Sequence, residues 1–90
     1  MAWKIRLKAS VEKDLRAIPA QESECILSEL ELIAAGDPRE SGKRLEGTDF
    51  YSHRVSSYRI IYKIVEEGSV VIVLRVGQRG SVYRALERLH

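Results

Sequence analysis

The most constraining feature of this sequence is the segment VVIVL at positions 70–74, in which every side chain is aliphatic. A strand that alternates apolar and polar residues buries one face, whereas a strand that is apolar throughout is buried on both. The segment therefore predicts a central strand with other parts of the chain packed against both faces of its sheet. It is much shorter than the ~20 apolar residues that span a membrane, so we expect no membrane association.

Other segments show the two-residue period of half-buried strands. The connections at residues 56–57 and 66–69 each join two of these segments and are short enough for hairpins. The second half of the chain therefore predicts a three-stranded antiparallel meander. The predicted strands cover residues 3–7, 51–55, 58–65 and 70–76.

Between the first strand and the meander, the apolar residues recur at helical spacing. Val11, Leu15 and Ile18 predict a short first helix, with Ser10 as its N-cap and Pro19 at its end. A second helix is predicted over residues 21–35, followed by Gly36 as the residue that terminates it. The side chains expected to be buried by the second helix are Ile26, Leu27, Leu30 and Ile33.

The order of the elements predicts an α+β fold, in which two helices pack together on one face of a small sheet. Residues 36–49 are rich in turn formers and charges, and we interpret them as a long connection anchored by Leu45. Gly77 and Gly80 predict a turn before a helical tail at 81–89. The second face of the sheet stays open unless this tail or a partner covers it. Residues 1–90 are expected to form a single domain.

The formal net charge of +2 is unevenly distributed along the chain. Residues 21–35 contain four glutamates and no basic residue, so the remainder of the chain is clearly basic. We expect the acidic second helix to face solvent. A basic surface elsewhere would suit a phosphate-bearing partner.

Cysteine and histidine are too few to build a metal site or a disulfide. Cys25 is the single cysteine, and His53 and His90 lie far apart in the chain, so we expect no metal and no cofactor. A lone cysteine is typical of a reducing compartment, and we expect a cytoplasmic protein. His53 has the opposite strand parity to Arg54, which directs it toward the helices as a core or edge histidine.

Basic residues dominate the second half of the chain. Strand parity places Arg59 and Lys63 on one face of their strand, Arg54 on one face of the preceding strand, and Arg75 on the same face as Val73. If these faces coincide, several guanidinium groups converge on a surface suited to phosphate. The alternative is that these arginines are solvated or paired with carboxylates. The basic residues considered are Arg54, Arg59, Lys63, Arg75, Arg79 and Arg84.

The tyrosines divide into two groups. Tyr58 and Tyr62 have the parity opposite to Arg59, and we expect both in the core. Tyr83 follows the glycine turn, and it either projects toward the basic face or fills space beneath the tail.

Two segments, HRVSSYRIIYKI at 53–64 and VLRVGQRGSVYR at 73–84, resemble the RelE/ParE family of toxins. The segment GKRLEG at 42–47 is similar to the family's approach to the sheet. The resemblance implies a RelE-like α+β fold and a toxin of a type II toxin–antitoxin system. In the RelE branch, the implied activity is metal-independent, ribosome-dependent cleavage of mRNA. In the alternative ParE branch, the toxin inhibits DNA gyrase and has no nuclease activity.

The resemblance also implies roles for individual residues. Arg59, Arg79 and Tyr83 match the catalytic positions of the RelE branch. Ser52 departs from the pattern, because RelE-type nucleases commonly carry a basic residue at that position as well as at Arg54. The implied partners are the ribosome, mRNA and a RelB-like antitoxin that wraps the toxin. The expected RNA- and phosphate-binding residues are Arg54, Lys63, Arg75 and Arg84.

Overall fold

A five-stranded sheet organises the molecule, with helices packed against both of its faces. The computed structural model describes residues 3–87, and at positions 79 and 85–87 it describes the backbone alone. The elements are β1 (Lys4–Leu7), α1 (Ala9–Arg16), α2 (Ala20–Ala35), α3 (Pro38–Ser41), β2 (Lys43–Arg44), β3 (Phe50–Val55), β4 (Tyr58–Val65), β5 (Val70–Gln78) and α4 (Arg79–Glu87).

The strand order is β1-β5-β4-β3-β2, with β1 parallel to β5 and every other neighbouring pair antiparallel. The predicted α+β architecture and its antiparallel meander are confirmed. β5 is the strand predicted to be covered on both faces. Val71 and Val73 pack under the helices, whereas Leu74 packs on the opposite face beneath α4. The aliphatic run is therefore explained by its position between two apolar layers.

The main core lies between the sheet and the layer formed by α1 and α2. Its helical residues repeat at the spacing that places side chains on one face of a helix. Leu27 does not belong to this stripe: it follows Ile26 by one position, about 100° around the helix, and is 43% exposed. The prediction that Leu27 is buried was therefore wrong. The buried residues of this core are Val11, Ile26, Leu30, Ile33, Ile60, Tyr62, Val71, Val73 and Val76.

A second, smaller cluster fills the opposite face of the sheet. Ile61, Leu74 and Val82 are buried there, and Leu45 packs against them as the predicted anchor of its segment. α4 supplies Val82, so the C-terminal tail covers part of the second face. No helix within the described residues is long and apolar enough to cross a membrane.

Several element boundaries differ from prediction for local reasons. α1 begins at Ala9 after Lys8, and Ser10 is not its N-cap, because its hydroxyl instead donates to the Leu74 carbonyl at 3.1 Å. α4 begins at Arg79 directly after β5, and Gly77 continues the strand rather than forming a turn.

The segment between α2 and β3 is more ordered than a plain connection. It contains α3, capped by the Asp37 carboxylate, which accepts a hydrogen bond from the Arg39 backbone N–H. It also contains β2, which pairs with β3 through the partners Lys43–Ser52 and Arg44–Tyr51. Residues 36–49 therefore add an edge strand to the sheet.

The acidic helix α2 contacts the sheet through two of its glutamates, which corrects the expectation that it simply faces solvent. The His53 ring lies between the two elements, with Nε2 2.9 Å from the Glu29 carboxylate and Nδ1 2.6 Å from the Ser41 carbonyl oxygen. The Tyr58 hydroxyl donates to Glu22 at 2.5 Å, and this hydrogen bond raises the pKa of the phenol. The orientation predicted for His53 is confirmed, and these contacts fasten α2 to the β3–β4 hairpin.

Candidate nucleic-acid interface

The sheet face opposite α1 and α2, which we call the α4 face, carries most of the basic residues of the strands. Directly paired residues point to the same side of a sheet, so the strand register determines which side chains share this face. Within the described strands, none of its positions is acidic. The positions are Lys4, Arg6, Lys43, Phe50, Ser52, Arg54, Arg59, Ile61, Lys63, Val65, Val70, Ile72, Leu74, Arg75 and Gly77.

Arg54 and Arg59 form the centre of the candidate interface. They are directly opposed across β3 and β4, a position in which Cβ atoms lie about 4.5–5.5 Å apart. Arg54 donates through Nε to the Ser56 carbonyl at 3.1 Å, and neither guanidinium pairs with a carboxylate that the structure describes. Like charges on directly opposed residues of neighbouring strands repel each other, and an anion bound between the two guanidinium groups relieves that repulsion.

The surroundings leave room for such an anion. The hairpin at Ser56 and Ser57, together with Tyr58 and the two arginines, lines a pocket of about 200 Å³. On the other side, Arg59 pairs in register with Gly77, so no side chain of β5 stands beside it. The register therefore places Arg54 and Arg59 on one surface, which the sequence alone leaves open.

The C-terminal candidates belong to α4, the helix that supplies Val82 to the cluster on this face. Arg79 comes two residues after Gly77, the strand partner of Arg59. α4 therefore starts at the end of the sheet where Arg59 lies. The side chain of Arg79 lies outside the described part of the structure, and its role stays a prediction. Tyr83 is partly buried against the second cluster, so it reaches the α4 face and also fills space there. Arg84 is exposed, and its Nε donates to the Gly80 carbonyl at 3.4 Å.

Lys63 shares the α4 face but lies at a distance from the arginine pair. It is four residues beyond Arg59 on β4, which corresponds to about 13 Å along a strand. Its neighbouring acidic residues are already paired, Asp49 with Arg44 and Glu66 with Arg39. Lys63 therefore remains an available cation, separate from the Arg54–Arg59 centre.

Arg75 is not brought to that centre. β5 contains a bulge. Ile61 of β4 pairs with Arg75, whereas the next residue, Tyr62, pairs with Val73, so Leu74 is the extra residue. The expectation that Arg75 shares a face with Val73 was therefore wrong, because a strand changes parity at a bulge, and pairing with Ile61 places Arg75 at a position of the α4 face. Its Nη2 instead donates to Asp14 Oδ1 at 3.0 Å, at the edge of β5.

We expect Asp14→Ala to lower the free energy of unfolding by about 1–3 kcal/mol, as measured by urea denaturation. The Asp14 carboxylate is only 13% exposed, and besides Arg75 it accepts the Val76 backbone N–H at 3.0 Å. Its removal leaves the Arg75 guanidinium and this N–H without a partner. Glu12→Ala, an exposed acidic position on the same helix, is the matched control. Equal stability of the two variants would contradict a structural role for Asp14.

Sequence reasoning missed three members of the α4 face. Lys4 and Arg6 alternate with apolar residues in β1, but their face depends on the parallel pairing with β5, which no local pattern reveals. Lys43 lies in a strand of two residues, too short for a periodic signal. The structure places Lys43 directly opposite Ser52.

Comparison with known proteins places this geometry in a family. The family model described as ParE toxin of the type II toxin–antitoxin system parDE matches residues 5–83. The chain belongs to the RelE/ParE family of type II toxins. It is 32% identical over 90 residues to Toxin RelG of Mycobacterium tuberculosis, covering 93% of this chain and 99% of that toxin.

Solved structures of the RelE/ParE family share the fold. A RelBE toxin–antitoxin complex of Mycobacterium tuberculosis is 30% identical, with a TM-score of 0.67, and the match covers 88% of this chain and 100% of that one. The archaeal RelE–RelB complex of Pyrococcus horikoshii is 28% identical, with a TM-score of 0.73 and coverage of 89% and 98%. A double mutant of Escherichia coli RelE in the free state, at 23% identity and full coverage of both chains, has a TM-score of 0.80 and supports the fold alone.

Proposed function

We propose that this toxin is a ribosome-dependent endoribonuclease that inhibits translation by cleaving mRNA. The observation that carries the proposal is the directly opposed, carboxylate-free pair Arg54–Arg59 on a sheet face without acidic positions. A sheet face of this charge binds the phosphate backbone of RNA, and arginine forks hold phosphate oxygens in a defined orientation. The similarity to RelG and RelE toxins supports the same branch of the family.

The proposed reaction uses the RNA's own 2′-hydroxyl as nucleophile. The 2′-oxygen loses its proton and forms a bond to the adjacent phosphorus, while the bond from phosphorus to the 5′-oxygen breaks and that oxygen takes up a proton. The products are a 2′,3′-cyclic phosphate and a 5′-hydroxyl. Negative charge builds up on the phosphorane, where positioned donors stabilise the transition state more than the ground state.

In this proposal each site residue has a distinct task. Arg54 and Arg59 hold the scissile phosphate and stabilise the phosphorane. Arg79 adds a third guanidinium from the start of α4, and Tyr83 stacks on the RNA or exchanges a proton with it. Lys63 and Arg84 contact phosphates at a distance from the cleaved bond. We assign these roles from the family pattern and from the shared face.

We further propose a RelB-like antitoxin as the partner of this toxin in the cytoplasm. Relatives from Mycobacterium tuberculosis, Escherichia coli and Pyrococcus horikoshii have been solved as complexes of toxin with antitoxin. In our proposal, the antitoxin wraps this chain and blocks its access to the ribosome.

A ParE-like inhibitor of DNA gyrase is the second candidate. Ser52 favours it, since this position lacks the basic residue of RelE-type nucleases, and the matching family model is itself named for ParE. Gyrase inhibition requires no phosphate-cleaving centre, so loss of Arg59 should leave it unchanged.

Translation in a purified system, with primer extension to map mRNA ends, tests the proposal. We expect cuts at defined positions within codons, and these cuts should disappear when ribosomes are omitted. A 2′,3′-cyclic phosphate on the upstream fragment would identify the 2′-hydroxyl as nucleophile. Intact mRNA, together with accumulation of gyrase-cleaved DNA, would overturn the nuclease proposal in favour of the second candidate.

A further inference from the structure

Ser52 lies on the α4 face two residues before Arg54 and has an unsatisfied hydroxyl. Its side chain lies on β3 between Phe50 and Arg54 and opposite Ile61 on β4. The residue is only 7% exposed, and its Oγ has no hydrogen-bond partner within the described structure. A buried hydroxyl without a partner is unfavourable, and no charged group on β3 occupies the place that this serine fills.

A cation lies directly across the strand from this hydroxyl. Lys43 on β2 pairs in register with Ser52, so both side chains are on the α4 face, with Cβ atoms about 4.5–5.5 Å apart. Arg54 is the diagonal neighbour of Lys43, at about 7–8 Å, within reach of long side chains. Lys43 is exposed and forms no ion pair with any described carboxylate.

The position of Lys43 is held by a close approach of the backbone. Gly42 packs against the Tyr62 hydroxyl, which itself donates to the Pro38 carbonyl at 2.6 Å. The start of β2 is therefore anchored to a fully buried side chain of the core. A lysine on this anchored edge strand projects from a defined point beside Ser52 and Arg54.

We propose that Lys43 is a phosphate-binding residue of this site. It supplies from β2 the positive charge that Ser52, buried on the neighbouring strand, does not supply from β3. This inference rests on the proposed function and deepens it, because it names the residue that completes the cationic site. Lysine acts here as a flexible point charge, whereas the arginines provide directional forks.

The test compares Lys43→Ala with Arg44→Ala, an adjacent cation on the same strand. Arg44 pairs in register with Tyr51, on the other face, and is held by Thr48 and Asp49. Both variants lose one positive charge, so any effect of net charge is matched. We measure binding to a single-stranded RNA oligonucleotide over a range of salt concentrations and mRNA cleavage in the purified translation system.

Lys43→Ala should lower the slope of log affinity against log salt by about 0.7, the value for one phosphate contact to a single strand. It should slow cleavage roughly 10- to 100-fold, because one positioned donor to the transition state is lost. Arg44→Ala should retain the wild-type salt slope and cleavage rate, and Lys43→Arg should retain most of both.

Rescue separates charge supply from a structural role. In the double variant Lys43→Ala/Ser52→Lys, the charge returns to the same face from the neighbouring strand, and cleavage should recover at least tenfold over Lys43→Ala. Lys43→Arg provides the same test if Ser52→Lys proves too large to fold, as judged by thermal unfolding. Wild-type cleavage with equal losses in Lys43→Ala and Arg44→Ala would overturn this inference and leave the proposed function standing. Absence of wild-type cleavage would overturn the proposed function, and equal salt slopes would overturn the inference independently.

Discussion

Arg59→Ala is expected to slow mRNA cleavage by about 10²–10³-fold, the effect of removing one preorganised donor to a developing oxyanion. Arg59 lies at the centre of the α4 face, with Arg54 on one side and Gly77 on the other. Its guanidinium has no carboxylate partner in the described structure, so it is available for the phosphorane. The measurement is the single-turnover rate on programmed ribosomes.

The loss should arise from the transition state and not from unfolding. Arg59 is half-buried and makes no ion pair with a described carboxylate, so its truncation should change the free energy of unfolding by less than about 1 kcal/mol. Arg59→Lys should fall between wild type and Arg59→Ala, because it keeps the charge and loses the bidentate fork. Arg16→Ala, an exposed cation on α1, serves as the matched control.

An Arg59→Ala variant that cleaves mRNA at the wild-type rate would remove the arginine pair from the mechanism. If the same variant still poisoned gyrase, the second candidate function would be favoured. The matching family model is named for ParE, whereas the similarity to RelG favours the nuclease candidate, so this substitution distinguishes the two candidates directly.

Gly42→Ala is expected to destabilise the fold by about 1–3 kcal/mol, the range for overpacking a filled core. An added Cβ would overlap the Tyr62 hydroxyl and would lie 3.1 Å from the Ser52 carbonyl oxygen. The tyrosine cannot easily yield, because it is fully buried and its hydroxyl is hydrogen-bonded to the Pro38 carbonyl. Burial raises the pKa of Tyr62 to about 12, so the phenol stays protonated and continues to donate.

A second substitution should relieve part of this strain. Tyr62→Phe alone removes one hydrogen bond and should lower the free energy of unfolding by about 1 kcal/mol. In Gly42→Ala/Tyr62→Phe the overlapping oxygen is absent, so the double variant should be more stable than the sum of the single effects indicates. Urea denaturation of all four proteins provides the cycle.

Gly36→Ala is the matched control for this cycle. Its added Cβ would meet only the Leu32 carbonyl oxygen, at an ordinary 3.5 Å, so it should be nearly neutral. Additive effects of Gly42→Ala and Tyr62→Phe would show that the hydroxyl is not the source of the strain.

Because Gly42 precedes Lys43, Gly42→Ala should also displace the proposed phosphate-binding lysine and reduce cleavage.

Local patterns predicted much of the fold because they depend on residues close together in the chain. The strand at Tyr58–Val65 was predicted with its observed bounds, and α2 begins one residue before its predicted start. Strand parity also indicated on which face of its own strand each of Arg54 and Arg59 lies. The two-residue hairpin loop between the strands then brings the two arginines into direct register. Where the connection between two strands is short, local sequence patterns therefore go far toward predicting which side chains share a surface.

Predictions that required long-range packing were the ones that changed. The bulge at Leu74 reverses the parity of Arg75, and Asp14, 61 positions earlier, then binds its guanidinium. Two glutamates of α2 have partners only because β3 and β4 pack beside the helix. Glu29 contacts His53, and Glu22 contacts Tyr58. These contacts join distant parts of the chain, so the periodicity of a single helix or strand does not predict them.

The sequence by itself determined the elements outside residues 36–49, the two-sided burial of β5 and the family motifs, since periodicity and short motifs depend on neighbouring residues. Only the tertiary structure decided which side chains meet. It paired β1 with β5 and β2 with β3, and so placed Lys4, Arg6 and Lys43 on the face of Arg54. Strand pairing depends on closing loops and burying a common core, and one residue of register shift moves a side chain to the opposite face.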